Sequence, residues 1–207
     1  MASRNSQGAV EKRRQILDAA IRTFARQGFH ACRVSDIADE AGVAYGLVYH
    51  YFRSKDEILD TLFLERWDVM LAAIREVDAS DLPARDKLRA IATFIVESYR
   101  HDPDLMKVII VEVTRAANSF GRRHLGKIQE AYALIGEIVA KAQTDGEFKS
   151  DVTPQFAAMA FYGAIEQVLT GWIFDLLPSG PDDYAQATTF IVETICGGLD
   201  QSAVPSR

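Results

Sequence analysis

The chain has 207 residues, 48% of them hydrophobic and 25% charged, which leaves room for a small domain beside a larger one in an ordinary globular protein. Only two cysteines occur, Cys32 and Cys196, far apart in sequence. That excludes a disulfide-stapled scaffold and reads as two reduced thiols. The formal net charge of −6 excludes a protein that is basic all over, but the charge is uneven. Residues 1 to 55 hold nine Lys/Arg against five Asp/Glu, whereas residues 56 to 207 hold fourteen against twenty-four. A modestly basic head on an acidic body suits a protein that meets phosphate at one end only.

Met1 to Val10 is small and polar and is predicted to be disordered. No apolar run followed by a small-residue cleavage site is visible there, so a cytoplasmic protein is expected. Helical periodicity then runs throughout, with no repeats and no strand pattern of useful length. A first helix is predicted over about Glu11 to Gln27, with Leu17, Ala20, Ile21 and Phe24 on one face and Gly28 ending it. Two short helices follow, at about 34 to 41 and 45 to 51. The fourth runs from about Lys55 to Val77, with Ser54 as N-cap and Glu57 completing a capping box.

Pro83 marks the start of a fifth helix, and His101-Asp102-Pro103 breaks the chain before a sixth at about 104 to 117. A seventh covers about 120 to 144 and stops at Asp145-Gly146. Thr153-Pro154 opens an eighth, to about Phe174, and a ninth runs from about Asp182 to Gly198. The expected fold is all-α, with about nine helices: a head of residues 1–54 and a larger body of residues 55–207.

Residues 34 to 55 carry the most information. A short helix bears Ile37, Ala38 and Ala41; Gly42 supplies the turn, because glycine takes positive φ cheaply; Val43 returns to the core. A second short helix then presents Tyr45, Tyr49 and His50. That is the layout of a helix-turn-helix, which lays its second helix in the major groove of double-stranded DNA. Tyr45 and His50 are the candidates for base edges or nearby phosphates, and Leu47 for a thymine methyl. Tyr49 can offer its hydroxyl to a phosphate, Gly46 lets the backbone come close, and Lys55 can add a point charge at the start of the fourth helix. Arg33 and Ser35 lie near the start of the positioning helix, within reach of a backbone phosphate. Tyr51 and Phe52 read as core; Tyr49 has a core reading too, and His50 has one as a helix cap.

The same stretch resembles the DNA-binding domain of TetR-type bacterial transcriptional regulators. The matching residues are Gly28-Phe29, Ile37-Ala38, Ala41-Gly42-Val43, Gly46, Tyr49-His50-Tyr51-Phe52 and Lys55-Asp56-Glu57-Ile58-Leu59. Two positions depart from the family pattern. Tyr45 stands where Lys or a small polar residue is common, and Cys32-Arg33 stands where Thr-Ser/Thr is usual. The resemblance implies a ligand-responsive repressor that binds an operator.

From Phe156 to Phe174 the only ionised side chain is Glu166, and apolar residues face every direction. A membrane span is the alternative, but Glu166-Gln167 at mid-span and acidic flanks without Lys/Arg anchors argue against it. Burial on two sides is the better reading, one face in its own subunit and the other against a second copy. The ninth helix has Phe190, Ile191, Ile195 and Leu199 beside Gly197 and Gly198, small residues that permit close approach. The resemblance implies a homodimer through helices eight and nine.

The body carries no catalytic constellation. It has no nucleophile elbow, no phosphate-cradling glycine loop and no His-Glu-x-x-His, so no enzyme, metal or cofactor is expected. An aromatic-rich interior suggests a pocket for a small hydrophobic ligand. Phe94, Met106, Ile109, Ile110, Val113, Tyr132, Met159, Tyr162 and Trp172 are its candidate lining, and each reads equally as plain core. From Val113 to Gln129 there is no acidic residue, but there are Arg115, Arg122, Arg123, His124 and Lys127. Such a run fits the phosphates of an anionic ligand, or a solvated face that balances nearby acids. Val111-Glu112-Val113 with Asn118, and Gly163-Ala164-Ile165-Glu166 with Trp172, are similar to acyl-CoA-responsive TetR-type repressors of fatty-acid degradation. That similarity implies long-chain acyl-CoA as effector. The alternative is a TetR-like regulator of an efflux pump, or of another pathway, that senses an unrelated hydrophobic ligand.

Overall fold

In the computed structural model, which describes residues 2–112 and 121–200, nine α-helices follow one another, with no strand among the described residues. They are α1 (Ala2–Gln27), α2 (Val34–Ala41), α3 (Tyr45–Tyr51), α4 (Lys55–Asp78), α5 (Ala84–His101), α6 (Pro103–Lys107), α7 (Gly121–Thr144), α8 (Pro154–Ile173) and α9 (Pro181–Leu199). The all-α expectation holds. Two boundaries differ. α1 begins at Ala2 rather than near Glu11, so the backbone of residues 2–10 is helical where disorder was predicted. That stretch has no proline to stop the helix, and residues 7–10 are exposed. α6 passes at Val108 into a π-helical turn, Val108–Glu112. The remainder of the predicted sixth helix, 113 to 117, lies outside the described residues.

Two compact units divide the chain: Met1–Arg66 with Asp104–Arg122, and Trp67–Pro103 with Arg123–Arg207. The division falls inside α4, between Arg66 and Trp67.

In the first unit, Ile16, Leu17, Ala20 and Phe24 bury one stripe of α1, at the spacing an amphipathic helix requires. Ile37 and Ala38 of α2, Val48 of α3, Phe52, and Ile58, Leu59 and Leu62 of α4 are buried as well. Each of these side chains larger than alanine contributes about 1.5–3 kcal/mol relative to exposure. Gly28, at φ 79, ends α1, and its N–H donates to the Phe24 carbonyl at 2.8 Å. The α4 start behaves as its capping residues dictate: Ser54 Oγ accepts the Glu57 N–H at 3.1 Å, while the Glu57 carboxylate takes the Arg53 N–H at 2.6 Å.

In the second unit, Leu88, Ile91, Ala92, Ile95, Val96 and Tyr99 form the buried face of α5, which packs on α8 and α9. Arg85 and Arg89 both reach Glu193 of α9, and Arg85 also reaches the Asp200 carboxylate. Thr153 caps α8 as expected, its Oγ1 accepting the Phe156 N–H at 3.3 Å. The other end of α8 turns back sharply. Leu176 and Leu177 donate their N–H groups to the Gly171 carbonyl at 2.8 and 3.3 Å, and Trp172 Nε1 donates to the Pro178 carbonyl at 2.9 Å. A Cβ on residue 171 would stand 2.6 Å from Leu177 Cδ1, so a larger residue there would require the Leu177 side chain to shift. Trp172 is thereby enclosed between Tyr99, stacked at 5.5 Å, and Tyr184, edge-on at 4.9 Å.

Candidate functional site

The turn between α2 and α3 is built as its sequence demands. Gly42 sits at φ 62, ψ 38, the left-handed region, and its N–H reaches the Ala38 and Asp39 carbonyls. Val43 N–H closes the motif on the Ala38 carbonyl at 3.0 Å. α2 is fixed at both ends by side chains. The Asp36 carboxylate accepts the Arg33 N–H at 2.8 Å, and Gln15 Nε2 donates to the Ala41 carbonyl at 2.6 Å. Glu40 accepts Arg22 at 2.7 Å and Arg26 at 3.1 Å, and these two bonds hold its carboxyl below the usual carboxylate range. Arg22, Arg26 and Gln15 escaped the sequence reading. They lie on α1, 14 to 26 residues from their partners, and nothing local marks them.

α3 hangs on Val48, which is fully buried. Around it, Tyr45, Gly46, Tyr49 and His50 are exposed, and Leu47 is half-buried. The Tyr45 hydroxyl donates to the Tyr49 hydroxyl at 3.2 Å. Beside the Tyr45 phenol, the Tyr49 phenol stands above its ordinary range and keeps its proton at neutral pH. A Cβ on residue 46 would meet nothing within 4 Å, so no packing among the described residues demands glycine there. Arg33 is exposed and Ser35 half-buried, with Ser35 Oγ 3.4 Å from the Asp36 carboxylate. The His50 ring stands edge-on to Tyr51, which is half-buried, while Phe52 is core under the Arg13 guanidinium.

Lys55 is more engaged than a free point charge. Its Nζ donates to the carbonyls of Phe29 at 2.5 Å and Cys32 at 2.7 Å, and at 3.4 Å to that of His30. It also lies 4.4 Å from the centre of the Phe29 ring. The lysine thus pins the turn that leads into α2. Its longest bond is the one that can be exchanged for an outside acceptor. Lys55→Ala should destabilise the protein by about 1–3 kcal/mol in urea unfolding, because carbonyls are left without their donor. If the third N–H also reaches a phosphate, the same change should lower the log-affinity against log-salt slope by about 0.9 per contact. A stability loss with an unchanged slope would limit Lys55 to the turn.

The candidate ligand residues are divided between the two units. Met106 and Ile109 are buried and Ile110 is half-buried, and all three belong to the first unit. Phe94, Tyr132 and Tyr162, all half-buried, belong to the second, with Met159 exposed and Trp172 buried. Tyr132 and Tyr162 meet edge-on at 5.5 Å, and Tyr162 also lies 6.0 Å from Trp67, a partner the sequence reading missed. Glu166, one turn beyond Tyr162 on α8, has its carboxyl pushed up by burial, and burial first and Glu166 second raise the Tyr132 phenol. Val113 and Arg115 lie outside the described residues, as do the side chains of Arg122 and Arg123. Within the basic run, His124 is buried, and Lys127 pairs with Asp68 at 2.6 Å. No group of three or more His, Cys, Asp or Glu that could hold a metal occurs among the described residues.

Several large apolar side chains of the second unit stand in solvent: Phe156 (67%) and Met159 (57%) on α8, Phe174, Leu176 and Leu177 in the loop after it, and Phe190 (68%) on α9. Phe190, Leu177 and Trp172 also line a hollow of about 320 Å³. Among the described residues no helix is long and apolar enough to cross a membrane.

Comparison with known proteins places these features. The family model for bacterial regulatory proteins, tetR family, matches residues 16–62. The model for the tetracyclin repressor-like C-terminal domain matches residues 81–199. The fatty acid metabolism regulator protein of Bacillus subtilis (strain 168) is 30% identical over 162 residues, covering 78% of this chain and 83% of that protein. The HTH-type transcriptional repressor KstR2 of Mycobacterium tuberculosis (strain ATCC 25618 / H37Rv) is 32% identical over 199 residues, 95% of this chain and 98% of that protein. Among solved structures, the transcriptional regulator FadR from Bacillus subtilis in complex with stearoyl-CoA superposes with a TM-score of 0.79 at 25% identity, covering 89% of this chain and 98% of that one.

Proposed function

We propose that this chain, which belongs to the TetR family of bacterial regulatory proteins, is a repressor released from its operator by a long-chain acyl-CoA. It is a DNA-binding regulator and not an enzyme, as the named relatives are regulators. Residues 1–54 read the DNA, in the cytoplasm, and residues 55–207 hold the ligand and the dimer contact. Arg33, Ser35, Tyr45, Gly46, Leu47, Tyr49, His50 and Lys55 are the proposed DNA-facing set. The observation that supports this part most is the exposed face of α3, where two tyrosines and a histidine stand clear of the core behind the left-handed Gly42 turn.

For the effector, the support is the likeness to a FadR structure that holds stearoyl-CoA, which extends over both units. The acyl tail would lie against the apolar and aromatic residues of the body, and the nucleotide phosphates would meet the basic run. A second reading, an unrelated hydrophobic ligand, draws on the KstR2 match, at 32% identity over 199 residues against 30% over 162 for the fatty-acid regulator. The dimer is proposed to form through α8 and α9, supported by the exposed Phe156, Met159 and Phe190.

The direct test is a gel shift on DNA upstream of the protein's own gene, repeated from 50 to 200 mM salt. Binding should weaken steeply, by about 10³–10⁵ if six to ten phosphates are contacted. An interaction protein without a DNA role would give no shift at any salt.

A further inference from the structure

Tyr45 and Tyr49 are separated by one turn of α3, so their side chains lie on the same face. The rings stand edge-on with centroids 5.1 Å apart at 68°, and the hydroxyls share one hydrogen bond. Both side chains are well exposed, at 53% and 45%. Two aromatic rings packed on each other in solvent serve no core, because the one buried residue of this helix is Val48. The phenol at position 45 supplies Tyr49 with both a ring contact and a hydrogen-bond partner.

A phosphate oxygen only accepts hydrogen bonds. Of the two phenolic protons, one is used between the rings and one remains to point outward. A hydroxyl that already accepts a bond is a stronger and better-oriented donor, since chains of hydrogen bonds polarise one another. The phenol also keeps its proton at neutral pH. We propose that Tyr45 is a positioning residue: its hydroxyl orients and polarises Tyr49 toward a DNA phosphate, and it does not itself read a base. This rests on the operator-binding reading above and assigns one member of that surface a different task from the one its exposed position suggests.

The test is a double-mutant cycle of Tyr45→Phe, Tyr49→Phe and the double variant. The probe is the duplex that the unaltered protein selects from a random-sequence pool. Phenylalanine keeps both rings, so melting temperatures should stay the same. Tyr49→Phe should weaken binding about threefold to tenfold, the range of one hydrogen bond. Tyr45→Phe should weaken it about twofold to fivefold when Tyr49 is present and less than twofold when it is absent. A second selection with Tyr45→Phe should return the same base preference.

Equal losses from Tyr45→Phe in both backgrounds would overturn the relay and leave two separate contacts. A changed base preference would make Tyr45 a reader of bases and overturn it too. If both single variants bind as tightly as the unaltered protein, the pair does not face DNA. If the unaltered protein selects no duplex at all, the operator-binding reading itself has failed, and the proposal with it.

Discussion

Met159→Asp combined with Phe190→Asp is expected to leave a folded monomer at micromolar concentration. Both side chains are more than half exposed in the single chain, so replacing them removes little of its own core. In a dimer packed through α8 and α9 the same positions would bury carboxylates without partners. Leaving a charge buried and unpaired costs about 3–5 kcal/mol per site, and a two-fold interface repeats each substitution. Neither α8 nor α9 contains a basic side chain, so nothing on these two helices can neutralise the new charges.

A monomer holds one reading head where a dimer holds two. Losing the linked second head should lower operator affinity about 10²–10⁴-fold. Sedimentation and helicity by circular dichroism give the two readings needed. A variant that sediments as an intact dimer would remove α8 and α9 as the interface. A variant that loses its helicity would call for Phe190→Ser, which leaves the apolar contact incomplete without adding charge.

The α3 surface was legible in the sequence because every signal for it is local. Gly42 fixes the turn, Val48 fixes which side faces inward, and Tyr45 and Tyr49 share a face at i, i+4 spacing. Lys55 was legible by position only. Its three carbonyl partners lie 23 to 26 residues earlier, and no periodicity reports a bond across that distance. The body shows the same limit. Trp172 was placed by its size and apolar surroundings, but its enclosure by Tyr99 and Tyr184 joins α5, α8 and α9, which no local pattern reports. Met106, Ile109 and Ile110 have the composition of a pocket wall, yet they cluster with the reading head. Composition says that a residue is buried; it does not say in which unit.

Acyl-CoA is expected to release the protein from its operator, and the basic run should decide how well. Two heads must stand about 34–36 Å apart to enter successive major grooves of one duplex. α4 contributes residues to both units, so a ligand that changes its course in the body changes that spacing. A ligand acts only through its preference for the state that cannot bind DNA; equal affinity for both states would shift nothing. A coupling of about 1–3 kcal/mol corresponds to a 5–150-fold loss of operator affinity. Arg115, Arg122 and Arg123 are proposed to meet the nucleotide phosphates, with Lys127 already committed to Asp68. Replacing the three arginines with alanine should therefore impair the response to the CoA ester more than the response to the free fatty acid, which lacks those phosphates. The measurement is a DNA-binding titration with both ligands on both proteins. Equal indifference of the unmodified protein to ester and acid would end the fatty-acid reading and leave a regulator of this family that answers to another hydrophobic ligand. A strong response to the ester that survives loss of all three arginines would keep acyl-CoA as effector and place its phosphates elsewhere.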